Sequence, residues 1–255
     1  MLSFSQKPCR TWSQSRCFVG LLFQLGLPDK HNSSVQQGFP TRPESSHIMF
    51  FSFDGIDGVG KSTQMRLFEE WLANKGHQVV TCRDPGSTPL GERLREIILH
   101  SDQNISISPL GEMLLYMAAR AQLVEEIIRP ALERGSVVVS DRYVLANVVY
   151  QGYAGGVDLE AARQVGRVAT AGVMPDCVFL LDMPPEKARV RMGNNLDRVE
   201  QRGDSYRQLL REGFLAEAGQ MNDTVHVINA DRPVEDVQAE IRHIAAPILQ
   251  ANTNK

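Results

Sequence analysis

The stretch Phe50-Phe51-Ser52-Phe53-Asp54-Gly55-Ile56-Asp57-Gly58-Val59-Gly60-Lys61-Ser62-Thr63 decides how the rest of the chain is read. It joins a short apolar run to a helical pattern through a turn at 55–62 of the form G-x-x-x-x-G-K-[ST]. Glycines in such a turn let successive backbone N–H groups face inward as an anion nest, and the following helix adds the positive end of its dipole. Gly55, Ile56, Asp57, Gly58, Val59, Gly60, Lys61, Ser62 and Thr63 are therefore expected to hold a nucleoside triphosphate. Lys61 would reach its β- and γ-phosphates and Ser62 its Mg²⁺.

Working outward, apolar runs at 50–54, 78–83, 137–141, 177–182 and 225–229 read as strands. Amphipathic stretches at 62–75, 111–134, 159–171, 186–191, 206–220 and 234–249 read as helices. Strand alternating with helix predicts right-handed crossovers and an α/β domain, a three-layer doubly wound parallel sheet. Ligands of such sheets collect at the carboxyl ends of the strands.

Composition bounds the partners. The chain has 255 residues, 42% of them apolar and 22% charged, with a formal net charge of −3. That balance offers no general attraction to nucleic acid or a membrane surface, so positive charge for a polyanionic ligand has to be local. No apolar run approaches the roughly 20 residues of a bilayer span. Cys9, Cys17, Cys82 and Cys177 lack zinc or redox spacing, which fits a reducing, cytoplasmic setting. Residues 1–48 are rich in Ser, Gln and Arg, with Asp29 and Glu44 as their acids. They are expected to be a disordered extension or, in the favoured reading, to follow from a start placed upstream of Met49. The folded domain is expected at 49–255.

A phosphate-binding turn does not by itself name a reaction. Asn74-Lys75-Gly76-His77 lacks the Asp of a guanine-reading Asn-Lys-x-Asp segment, which argues against a GTPase. The run 137–141 ends on an acid, as in motor ATPases, but continues Arg142-Tyr143. Asp141-Arg142-Tyr143 with Tyr150-Gln151-Gly152 resembles the thymidylate kinase family. Arg83-Asp84-Pro85-Gly86-Ser87-Thr88, Tyr116-Met117-Ala118-Ala119-Arg120 and Leu196-Asp197-Arg198-Val199-Glu200 agree in order, from about Phe50 to the C-terminus.

The resemblance implies a P-loop nucleoside-monophosphate-kinase fold with a small lid at about 187–203, usually as a homodimer. Its activity would be transfer of a phosphoryl group from ATP to dTMP, supported by Mg²⁺ on Ser62 and Asp141. Lys61, Asp57, Arg142, Arg198 and Arg191 are the expected catalytic residues. Arg142, at a strand's carboxyl end, suits a bidentate grip on the acceptor phosphate. By resemblance Tyr116 stacks on thymine, Arg120 bonds a ring carbonyl, Asn147 reads the pyrimidine edge and Tyr150 lies under the sugar. Asp57 lies near the sugar hydroxyl and the transferring phosphate, and Arg83, Pro85 and Gln151 complete the acceptor set.

One family branch carries an arginine where this chain has Gly58, so here the charge is expected from the lid. Arg198 is the first candidate and Arg191 the second, in the bacterial type with lid arginines. Asp84, Ser87, Ala146 and Gly193 depart from common family residues and bear on acceptor contacts. Two other readings remain open: a kinase of another pyrimidine monophosphate, and a nucleotide-binding module without transfer.

Overall fold

The computed structural model describes residues 49–101, 105–193 and 197–253. The readings of 1–48 and of Asn194, Asn195 and Leu196 lie outside the described residues. Strands β1 (Met49–Asp54), β2 (Val79–Arg83), β3 (Val137–Asp141), β4 (Cys177–Asp182) and β5 (Val225–Asn229) form one parallel sheet in the order β2-β3-β1-β4-β5.

Every residue of β1 is buried, as a central strand covered on both faces requires. Its side chains alternate between two layers. Phe51 and Phe53 meet Phe68 and Phe179, with ring centroids 5.0 to 5.8 Å apart. Phe50 points the other way, onto Tyr143 at 5.0 Å.

Helix α1 (Lys61–Asn74) starts directly after the glycine turn. Helix α2 (Pro89–His100) is an addition to the expected elements. Its signal was local: Thr88 Oγ1 accepts the Gly91 N–H at 2.9 Å, and Pro89 occupies the first turn. The single helix expected at 111–134 is divided into α3 (Pro109–Leu123), a π-helical turn (Val124–Ile128) and α4 (Arg129–Glu133). Pro130 has no N–H to continue the ladder, and the ladder widens in the turn before it. After β3 come α5 (Val144–Asn147) and a second π-helical turn (Val148–Tyr153), also unforeseen. The remaining helices are α6 (Leu159–Thr170), α7 (Pro185–Arg191), α8 (Asp204–Gln220) and α9 (Val234–Thr253).

The register positions the functional loops. Phe53 and Arg83 both align with Asp141, so β1, β2 and β3 end level. The glycine turn, the Asp141-Arg142 step and the loop after Arg83 therefore open on one crevice beside β1, where connections leave the sheet in opposite directions. Among the described residues, no helix is long and apolar enough to cross a membrane. Cys82 and Cys177 are buried free thiols.

Phe68 fastens α1 to the sheet through three other phenylalanine rings. Phe68→Ala is expected to lower unfolding free energy by about 3–5 kcal/mol in urea titrations. A loss below about 1 kcal/mol would show that this cluster does not hold the helix.

Candidate active site

The glycine turn is shaped by contact as well as by conformation. Gly60 caps α1 at φ 99°. Gly58 has φ 86°, and a Cβ there would stand 2.3 Å from the Ala188 carbonyl oxygen of α7. No side chain fits at that position, and the arginine of the other branch is excluded sterically. Lys61 is buried, and its Nζ donates to the carbonyls of Gly55 (3.1 Å) and Ile56 (2.9 Å). Burial and the neighbouring Arg142 lower its pKa.

Arg142 is built into the end of β3. Its N–H donates to Phe53 O at 2.9 Å, and Ser140 Oγ donates to its carbonyl at 2.7 Å. These bonds hold a non-glycine residue at φ 66°. Its Nη1 donates to Gly55 O at 2.9 Å and its Nη2 to Asp57 Oδ1 at 2.5 Å. The guanidinium lies 5.0 Å over the Tyr150 ring, and Tyr150 Oη donates to Asp57 Oδ2 at 3.3 Å. Burial works to raise the Asp57 pKa, but Arg142 and Lys61 hold it far below the usual carboxylate range. Burial likewise opposes charge on Arg142, and Asp57 reverses this so that its pKa rises.

Two cavities meet at this pair. The first, about 520 Å³, is lined by the turn from Asp57 to Thr63 together with Asp141, Arg191 and Arg232. The second is lined by Pro85, Tyr116, Arg120, Asn147, Tyr150 and Gln151. Asp57, Asp84, Arg95 and Arg142 line both.

The other expected site residues fall as follows. Arg83 lines the first cavity rather than the second, and its Nη2 is held by Glu92 at 2.9 Å. Arg120 is fully buried; its Nε donates to Asp84 Oδ2 at 2.5 Å and its Nη2 to Tyr143 O at 3.1 Å. Arg191 reaches the first cavity, whereas Arg198 lines neither. Arg198 donates through Nε to Ile98 O at 2.7 Å and pairs with Glu112. Asp84, Asp141 and Asn147 each keep a buried Oδ1 without a hydrogen-bond partner at the cavity walls.

Four residues were missed by sequence reasoning. Asp54 was legible as a charge ending an apolar strand; it is fully buried, its Oδ2 accepts from Ser52 Oγ at 3.3 Å, and its Oδ1 has no partner. Arg95 went unseen with its helix α2; its Nη1 donates to Pro85 O at 3.1 Å. Glu112 carried one signal, its position four residues before Tyr116 on the same helix face. Arg232, after β5, had no motif.

A parallel sheet of this order, a phosphate-binding turn after β1 and an acid–arginine step after β3 define a P-loop nucleoside-monophosphate-kinase type of protein. The comparisons with known proteins are more specific. A family model described as thymidylate kinase matches residues 53–241. The chain is 40% identical over 218 residues to a thymidylate kinase of Rhodopirellula baltica, covering 86% of this chain and 85% of that protein. It is 43% identical over 202 residues to one of Symbiobacterium thermophilum, covering 79% and 94%. The crystal structure of thymidylate kinase from Ehrlichia chaffeensis superposes with a TM-score of 0.63 at 29% identity, covering 78% of this chain and 98% of that one. The chain belongs to the thymidylate kinase family.

Burial pushes the Asp54 carboxyl up to about 6. An unfolded Asp titrates near 3.9, so between these values the unfolded chain ionises while the folded one resists. This contribution is fully present below about pH 4 and lost as pH rises through 6. Relative to Asp54→Asn, the nucleotide-free protein should lose about 2–3 kcal/mol of stability between pH 4 and 7. Parallel unfolding profiles for the two proteins would contradict the raised pKa.

Proposed function

We propose that Lys61, Asp57, Arg142 and Arg191 carry phosphoryl transfer between a nucleotide in the first cavity and a monophosphate in the second. The observation behind this reading is that one ion pair, Arg142 with Asp57, lines both cavities. As an enzyme of the thymidylate kinase family, the protein transfers phosphate from ATP to dTMP, giving dTDP and ADP for dTTP supply.

ATP phosphates sit on the backbone of the glycine turn. Lys61 exchanges its carbonyl partners for the β- and γ-phosphates, and Arg142 exchanges part of its hold on Asp57 for the acceptor phosphate. That phosphate is already ionised at neutral pH, so no general base is needed; positioning and charge neutralisation dominate. Arg191 supplies the lid charge in place of Arg198, because Arg198 is committed to Glu112 and Ile98 O.

A divalent ion arriving with ATP fits the chemistry of this wall: Ser62 lines the first cavity, and Asp141 offers a buried Oδ1 with no hydrogen-bond partner. Mg²⁺ is commonly held by one or two protein groups plus substrate phosphates, and Ser62 and Asp141 would hold it here. When bound, it would draw charge from the phosphate oxygens.

On the acceptor side, Tyr116 stacks on the base, Asn147 reads its edge and Tyr150 supports the sugar. Pro85, Arg120 and Gln151 complete the wall, while Arg83 acts from the first cavity. The kinase domain in this reading is 49–255, with a lid at 187–203. A homodimer would use exposed apolar side chains such as Leu110 and Leu114 of α3 and Val168 of α6. The buried free thiols Cys82 and Cys177 support a reducing, cytoplasmic setting.

Lys61→Ala should lower kcat at least 100-fold, the order of effect of losing a preorganised charge contact, with the melting temperature retained. Arg142→Ala should raise KM for dTMP well beyond any rise for ATP. Equal rises for both substrates, in a coupled ADP-release assay, would remove Arg142 from the acceptor role.

A further inference from the structure

Glu112 lies in the first turn of α3, buried, and borders neither substrate cavity. Its carboxylate nevertheless gathers donors from two other segments. Arg198 Nη2 and Arg202 Nη2 (2.7 Å) come from the lid, and Gln151 Nε2 (3.2 Å) comes from the π-helical turn after α5. A carboxylate held by two guanidiniums can only accept. Gln151 must therefore turn its NH₂ toward Glu112 and its carbonyl toward Asn147, whose Nδ2 donates to Gln151 Oε1 at 2.8 Å. Asn147 is left with Oδ1 open, buried and without a protein partner, at the wall of the second cavity.

We infer that Glu112 is a positioning and specificity-determining residue: through Gln151 it locks the Asn147 amide with its carbonyl oxygen toward the base. A carbonyl there accepts the N3–H of thymine or uracil and opposes the lone pair on N3 of cytosine. The two ends of an amide have nearly the same shape, so nothing but hydrogen-bond polarity selects one orientation. Without the lock, both amides can turn over together and present a donor instead. Discrimination here comes from the mismatch that the fixed carbonyl imposes on the wrong base as well as from the bond to the right one. Arg198 and Arg202 hold the carboxylate in place, so the lid segment sets the polarity of the base reader.

The inference rests on the proposed role of Asn147 at the base, and the test separates the two. Calorimetric Kd values for dTMP and dCMP are to be measured on the full chain and on Asn147→Ala, Glu112→Gln, Gln151→Leu and the Glu112→Gln/Gln151→Leu double variant. A glutamine at 112 can donate or accept, and a leucine at 151 ends the relay. Each single relay variant should lower the preference for dTMP over dCMP about tenfold, equivalent to about 1.4 kcal/mol, with ATP affinity unchanged. The double variant should lose little more than either single one, as members of one chain do.

A purely structural Glu112 would weaken both monophosphates alike, and an unchanged preference in Glu112→Gln and Gln151→Leu overturns the relay. If Asn147→Ala also leaves the preference unchanged, the base-reading role falls with it. If Asn147→Ala abolishes the preference, the relay alone is lost. Should Glu112→Gln fail to fold, Gln151→Leu keeps the lid ion pairs intact and decides the matter.

Discussion

A guanidinium held against the carboxylate of a glycine turn organises this molecule. Arg142 is fixed at both ends: its backbone is tied to β1 through Phe53 O, and its side chain to the turn through Gly55 O and Asp57. The positive φ at this residue costs on the order of 1–3 kcal/mol and persists because the surrounding bonds over-determine it. The same contact joins the end of β3 to the loop after β1. Both cavities meet there, and the electrostatics follow. Asp57 stays ionised because Arg142 and Lys61 flank it, and Arg142 stays charged because Asp57 faces it. The wall is charged and paired before any phosphate arrives.

Much of this frame was legible in the chain itself. Three strands, 137–141, 177–182 and 225–229, have the expected bounds, because largely apolar runs ending on polar residues admit few other readings. The glycine turn was legible because its backbone angles and its lysine are local requirements. What escaped notice depends on context. Helix α2 hid behind a loop motif, and Arg95 with it. The division of the long helix at Pro130 follows from a missing N–H, but the π-helical widening that absorbs it is a choice made by packing. Arg198 and Arg191 look alike in sequence; only the buried partner, Glu112, separates them. That partner lies 86 residues away, beyond any local pattern.

The two lid arginines on Glu112 also alter the sense in which the lid is charged. A run of arginines near a phosphate site suggests one electrostatic field. Here Arg198 and Arg202 share one buried carboxylate and brace the acceptor side, while Arg191 lines the first cavity. In the proposed reading, one short segment serves two substrates through different physics, with packing and hydrogen-bond polarity on one side and an exposed charge on the other.

The close approach of Gly58 to the Ala188 carbonyl makes the loop and α7 a single unit for substitution. A side chain at Gly58 would collide with the backbone of α7 and would have to adopt a left-handed φ. An arginine at this position and α7 seated on the loop as it is here are therefore mutually exclusive. The helix would have to withdraw before an arginine could enter. A change at Gly58 is therefore to be judged together with the placement of α7.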